Sequence, residues 1–187
     1  PWTIFQRRVV GGVDFYRDYD DYKKGFGNTT GDFWSGLETI RALTKAGTAK
    51  LRVGLCNGAS CGSSTDPSDK SDFSKSYIGV NTYALYSSFS VGPDSDRYRL
   101  SVSGFSNQNG NQPGDSLAHQ NSQQFSAVGS DVTNSGTCVN SYRGGWWYNS
   151  CHHSNLNGIY GDNTYGKGLN WYTGFGHKDS VERVEMA

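Results

Sequence analysis

Two cysteines thirteen residues apart, Cys138 and Cys151, bracket Tyr142, Trp146, Trp147 and Tyr148, and His152 and His153 follow directly. A bridge between them pins a loop whose rings cannot all be buried within so small a circuit. Constrained aromatics beside two histidines point to a preformed pocket for a small, partly apolar ligand group.

Four cysteines is an even count. The short spacings favour Cys56–Cys61 and Cys138–Cys151, although three pairings exist on paper. Zinc is poorly served, because Cys138 and Cys151 are too far apart for a knuckle and Cys56-x4-Cys61 lacks a partner pair. Disulfides place the chain outside the cytosol, as a secreted protein. The sequon Asn28-Thr29-Thr30 fits that address and makes Asn28 a glycosylation candidate. Formal net charge is zero, so nothing favours nucleic acid or an anionic membrane as a bulk electrostatic partner. No apolar run reaches spanning length and no signal peptide is visible.

With 187 residues the chain reads as one domain over 1–187, large enough for a real core. Hydrophobic content is 34 % while aromatics reach 14 % and glycines number 25, so the core rests on large rings between many turns. Partial alternation over residues 2–10, then Gly11-Gly12, predicts a β-hairpin into Val13–Arg17. Ser35-Gly36-Leu37-Glu38 reads as a capping box, with Leu37, Ile40 and Leu43 on one helical face and Gly47 as the stop. Strands are expected near 49–55, 84–91 and 98–105. The remainder beyond Ser126 reads as mostly irregular, and His119 and His153 as ordinary surface polar residues.

Residues 136–158 closely resemble a signature of the fibrinogen C-terminal domain family, which includes ficolins, tachylectins and the fibrinogen chains. The shared pattern is a Cys, an aromatic, Gly-x-Trp-Trp, a second Cys, then His and Asn-Leu-Asn-Gly. The likeness runs from end to end, through Trp2-Thr3-Ile4-Phe5-Gln6-Arg7-Arg8, Asp32-Phe33-Trp34-Ser35-Gly36-Leu37, Gly114-Asp115-Ser116-Leu117 and Gly168-Leu169-Asn170-Trp171. It implies an α+β fold with a central antiparallel sheet, a few short helices and a loop-rich, disulfide-pinned C-terminal binding subregion at about 106–180. Residues 56–80 hold an insertion of about two dozen residues relative to that pattern. The chain also starts inside the family's first sheet, which implies a trimmed fragment with an oligomerising region upstream.

In the ficolin and tachylectin branch, a ligand acetyl group inserts its methyl between rings, and backbone amides beside a cis peptide bind its oxygen. Carried over by position, the pocket is Tyr142, Cys151, His152, Tyr165 and Gly166, with the cis bond at Ser150–Cys151. His177 stands where acetyl-binding members tend to have tyrosine, and Gly166 where they often have alanine, which implies a slightly roomier pocket. The family's calcium loop maps onto Asp131, Thr133, Asn134 and Gly136, one residue shortened. Thr133 replaces the second aspartate, and one carboxylate compensates a dication far less than two, so calcium is expected to be absent or weakly held. Asp66, Asp69 and Asp72 in the insertion read as a solvated polar loop.

Gly58-Ala59-Ser60-Cys61-Gly62 matches G-x-S-x-G formally, but a polar loop with Pro67 follows where a nucleophile elbow needs a helix. The expectation is therefore no enzyme. The resemblance implies an extracellular carbohydrate-recognition domain that binds acetylated groups, such as N-acetyl sugars on bacterial cell walls, in innate immune pattern recognition. The alternative is a protein-interaction module that receives a peptide N-terminus in the same pocket, as fibrinogen chains do. That mode favours acidic residues around the pocket, and Asp162 is the only nearby acid after His152.

Overall fold

A computed structural model describes residues 2–58, 82–106, 113–133 and 136–187. Its main body is a seven-stranded antiparallel sheet. Strands are β1 (Gln6–Arg8), β2 (Phe26–Gly27), β3 (Phe33–Trp34), β4 (Leu51–Cys56), β5 (Tyr83–Val91), β6 (Leu100–Ser106) and β9 (Arg183–Met186), in the order β2-β3-β1-β9-β4-β5-β6. The last strand of the chain thus sits at the centre, with Met186 opposite Gln6 on one side and Val53 on the other. Residues of β4 are almost continuously buried, as suits a strand covered on both faces. Across β1 and β9, the register partners Arg7 and Glu185 form a buried ion pair at 2.9 Å.

The three strands expected between residues 49 and 105 are present with ends shifted by a residue or two. The hairpin is not. β1 pairs with β3 on one edge and β9 on the other, so neither edge is left for residues 13–17. Helix α1 (Tyr19–Lys24) follows instead, capped by Asp18, whose carboxylate accepts from the Asp21 amide.

Helix α2 (Leu37–Thr44) forms where expected but without the capping box. Its N-cap is Gly36, at φ 99°, and the Ser35 hydroxyl is buried without a partner. A Cβ on Gly36 would stand 2.7 Å from the Lys24 backbone, so the end of α1 packs too closely for any other residue. Glu38 accepts from the Tyr98 hydroxyl instead of reaching back along its own helix. Leu37, Ile40 and Thr44 make the buried face, while Leu43 is 47 % exposed.

The core between sheet and helices is built on Trp34. Its ring meets Phe5 at 6.1 Å, Tyr22 at 5.6 Å, Phe125 at 6.1 Å and Trp147 at 6.3 Å. Trp146, Trp147 and Tyr148 are all buried there, which corrects the expectation that the loop's rings gather at a pocket. A small circuit cannot bury them within itself, but the neighbouring core can. The Trp147 indole donates to Tyr98 O at 2.8 Å. Ser126 and Trp146 exchange two backbone hydrogen bonds, of 3.0 and 2.9 Å.

Tyr22 ties the two halves together. Its hydroxyl donates to Phe15 O at 2.6 Å and accepts from the Gly145 amide at 3.0 Å. Tyr22→Phe leaves the buried Gly145 amide unpaired, while Phe15 O keeps the Arg17 amide at 3.0 Å, and should cost about 1–3 kcal/mol in urea unfolding. An unchanged midpoint would show that the joint does not depend on this hydroxyl.

Candidate functional site

The site lies on the flanks of the disulfide loop. Cys138 and Cys151 are bonded, with Cα atoms 5.2 Å apart. Cys56 is also disulfide-bonded. Its expected partner Cys61 lies outside the described residues, with Ser60, Asp66, Asp69, Asp72 and nearly all of the insertion. Helix α3 (Cys138–Tyr142) starts at the first cysteine and delivers Tyr142 at its end. After the second cysteine, a two-stranded sheet pairs β7 (Ser154–Asn155) with β8 (Asn170–Trp171), and α4 (Tyr172–Phe175) follows. This short sheet brings His152, just before β7, next to residues that follow β8.

Tyr142, His152, Gly166 and His177 converge on one carbonyl and one ring. Gly166 O accepts from His152 Nε2 at 2.8 Å and from Asn155 Nδ2 at 3.2 Å, while the Gly166 amide donates to His177 O at 2.7 Å. Because a carbonyl only accepts, His152 carries its proton on Nε2, and its Nδ1 is a buried acceptor without a partner. The His152 ring meets Tyr142 edge-on at 4.6 Å and His177 at 5.3 Å. His177 Nε2 donates to His152 O at 3.2 Å, and Tyr165 lies 5.0 Å from the His177 ring. All the carried-over pocket residues are therefore together, with Tyr165 the most open at 57 % exposure.

Two expectations about this site fail. The described residues contain no cis peptide bond, so Ser150–Cys151 is trans. The sharp change of direction comes instead from successive positive φ angles, 45° at Ser150 and 77° at Cys151. Gly166 does not enlarge the pocket either. At φ 74°, a Cβ there would stand 2.5 Å from Tyr142 Cε1, so the tyrosine ring already occupies that space.

Beyond the Cys151 carbonyl, which accepts from the Asn149 amide at 2.7 Å, the turn has spare donors. The backbone amides of Cys151 and His152 donate to no group among the described residues. Such amides are free to donate to an acceptor from outside the chain, water or a ligand.

Sequence reasoning missed part of the ring cluster. His119 and His153 are not ordinary surface residues, for their rings stack at 3.9 Å with planes 12° apart. Tyr172 lies 5.3 Å from His153 and 4.6 Å from His177. The His152-His153 doublet was the one local signal, and nothing in spacing joins it to His119 or Tyr172.

Burial pushes the His152 imidazolium down to about 3, outweighing the hydrogen bond to Gly166. Burial also lowers His153 and His177. The folded chain therefore refuses protons that the unfolded chain accepts below its ordinary 6.5. Stability is complete above that value and falls as pH drops towards 3. Between pH 7 and 5, above the carboxylate range, unfolding free energy should fall by up to about 1.4 kcal/mol per pH unit for each fully shifted histidine. His152→Gln should flatten the slope in urea titrations, and equal slopes would refute the assignment.

The loop that maps onto the family's calcium site is arranged around Asp131. Asp131 Oδ1 accepts from the Thr133 amide at 2.9 Å and hydroxyl at 2.6 Å, and Oδ2 accepts from the Val139 amide at 3.0 Å. The carboxylate thus serves the first turn of α3, where negative charge is favoured. Gly136 is in a turn to Thr133 O, and Asn134 lies outside the described residues. One carboxylate already holding three donors, beside a threonine, does not fit a hard cation that needs several free oxygens. Melting temperature should be equal in calcium and in chelator, whereas Asp131→Ala should cost about 1–2 kcal/mol. A calcium-dependent rise in melting temperature would overturn this reading. Asn28, the sequon residue, is exposed between β2 and β3, with Thr30 bonded to its side-chain oxygen at 2.9 Å.

Comparison with known proteins agrees with this architecture. The family model of the C-terminal globular domain of fibrinogen beta and gamma chains matches residues 1–187. Ryncolin-4 of Cerberus rynchops is 40 % identical over 99 % of the chain, and tenascin-R of Gallus gallus 36 % over 99 %. The chain spans 48 % and 12 % of those two proteins. Among solved structures, the fibrinogen-like globe domain of human ANGPTL2 superposes with a TM-score of 0.82 at 34 % identity, covering 99 % of this chain and 78 % of that one. Lamprey fibrin D-dimer, complexed with the peptide Gly-His-Arg-Pro-amide, gives 0.80 at 28 % identity, covering 99 % and 60 %. The chain belongs to the family of fibrinogen C-terminal globular domains, which are non-enzymatic binding modules.

Proposed function

We propose that this domain is an extracellular carbohydrate-recognition module that binds acetylated groups, N-acetyl sugars of bacterial cell walls among them, in innate immune recognition. The pocket is formed by Tyr142, Cys151, His152, Tyr165, Gly166 and His177, and it works without calcium. The observation that carries this reading is the pair of unpartnered amides at Cys151 and His152, next to the rings of Tyr142, His177 and Tyr165. An acetamide carbonyl is a suitable acceptor for such amides, and a methyl suits the rings. Disulfides and an exposed sequon at Asn28 accord with a secreted protein. Among the described residues no helix is long and apolar enough to cross a membrane.

The lamprey structure gives the peptide reading its strongest support, since that relative carries a peptide ligand. The electrostatics of this chain favour the sugar. The charges acting on His152 and His153 are those of other histidines, with no carboxylate among them. Asp162 is engaged by the Thr164 amide at 2.7 Å. A cationic amine or arginine therefore finds no carboxylate acting on these two rings, whereas a neutral sugar needs none.

One acetyl site gives weak affinity, on the order of millimolar, so useful binding calls for several copies acting together. In calorimetric titration, N-acetylglucosamine should bind and glucose should not. Tyr165→Ala, at an exposed position, should weaken N-acetylglucosamine about tenfold. Equal binding of both sugars would sink the acetyl reading, and displacement of the sugar by Gly-His-Arg-Pro-amide would restore the peptide one.

A further inference from the structure

The ring cluster does not end at the pocket. The sequence holds four histidines, and all four fall in one connected set of rings. From His152 it passes to His177 at 5.3 Å, to Tyr172 at 4.6 Å, to His153 at 5.3 Å and to His119 at 3.9 Å. Tyr165 and Tyr172, 57 % and 50 % exposed, are the two most open tyrosines among the described residues, and both meet His177. Exposed tyrosines that share one ring neighbour make a surface unlike a core.

The outer part of this surface is held in place. The His119 ring donates from Nε2 to Asn149 O at 2.7 Å, and Asn149 Nδ2 donates back to His119 O at 2.8 Å. The Tyr172 amide donates to His153 O at 2.8 Å. Thr173 follows, with its hydroxyl on Pro113 O at 2.6 Å and its amide on Ser116 Oγ at 3.0 Å. Rings fixed by their own backbone lose little freedom on binding a ligand.

Resting on the acetyl-pocket reading above, we propose that His119, His153 and Tyr172 form a second subsite, continuous with the pocket at His177, that receives the neighbouring pyranose of an N-acetylated oligosaccharide. A pyranose has a C–H face that packs on an aromatic ring and a hydroxyl rim that meets tyrosine and imidazole edges. The subsite offers rings and polar edges together, the stacked His119 and His153 on one side and the half-exposed Tyr172 on the other. Continuity with His177 makes the occupant the next residue of the same glycan.

Titration of the chain with N-acetylglucosamine and with its β1,4-linked disaccharide tests this. The disaccharide should bind about tenfold tighter, well beyond the twofold statistical gain from a second acetyl group. Tyr172→Ala, whose fold is checked by its melting temperature, should leave the monosaccharide within about twofold and remove most of the disaccharide's advantage. The His119 and His153 ring protons should shift in NMR spectra with the disaccharide and stay still with the monosaccharide. If the monosaccharide binds and the disaccharide binds no better, the subsite is refuted while the pocket survives. If Tyr172→Ala weakens both sugars equally, Tyr172 belongs to the pocket and the second subsite is refuted. If neither sugar binds, both readings fall together.

Discussion

The burial of Trp146, Trp147 and Tyr148 beside Trp34 and Phe125 is the interaction on which the site depends. Each ring takes about 150–250 Å² out of water, worth roughly 4–6 kcal/mol at the usual coefficient. That anchors the disulfide-closed segment from its middle, so the two ends of the segment are placed by the core and not by local preference. A pair of positive φ angles at Ser150 and Cys151 costs of order 1–3 kcal/mol each, which such an anchor readily offsets. The strained turn sits at the end of the anchored segment, and the unpaired amides sit on the turn.

The same anchor explains which parts of the molecule were legible in the sequence. The strands near 51–56, 83–91 and 100–106 follow from local alternation, and α2 from apolar spacing, because each needs only its own residues. Family likeness collected Tyr142, His152, Tyr165, Gly166 and His177, and the structure brings them together. Failures came where a distant residue had taken the local partner. Tyr98 holds Glu38, and α1 crowds Gly36, so a sequence-perfect capping box is not made. β9, more than 170 residues downstream, takes the edge of β1 that a hairpin would need.

His119 and Tyr172 were illegible for a related reason. His119 is in a short turn at Ala118–Gln120, and Tyr172 opens α4 behind β8, so their contact through His153 exists only because β7 and β8 pair. No period in the chain carries that information. Asp131 shows the opposite case, where a motif was legible but its meaning changed. With threonine two residues on, the carboxylate turns inward to Thr133 and Val139, and the loop is closed by hydrogen bonds.

Charge is what distinguishes a cationic peptide from a neutral sugar as a ligand, and here no carboxylate acts on the rings of His152, His153 and His177. Burial lowers the pKa of His152, His153 and His177, and His119 stacks face to face on His153. The carboxylates of Asp131 and Asp162 are consumed by Thr133, Val139 and Thr164, and Asp179, two residues beyond His177, adjoins Lys178. A surface that offers rings, carbonyls and free amides but no net charge discriminates by shape and hydrogen-bond polarity, and a basic peptide would have to shed its water there without an ion to replace it. On the proposed reading, an acetamido sugar would give up less water and bring a methyl and a C–H face to the rings and an acceptor to the unpaired amides.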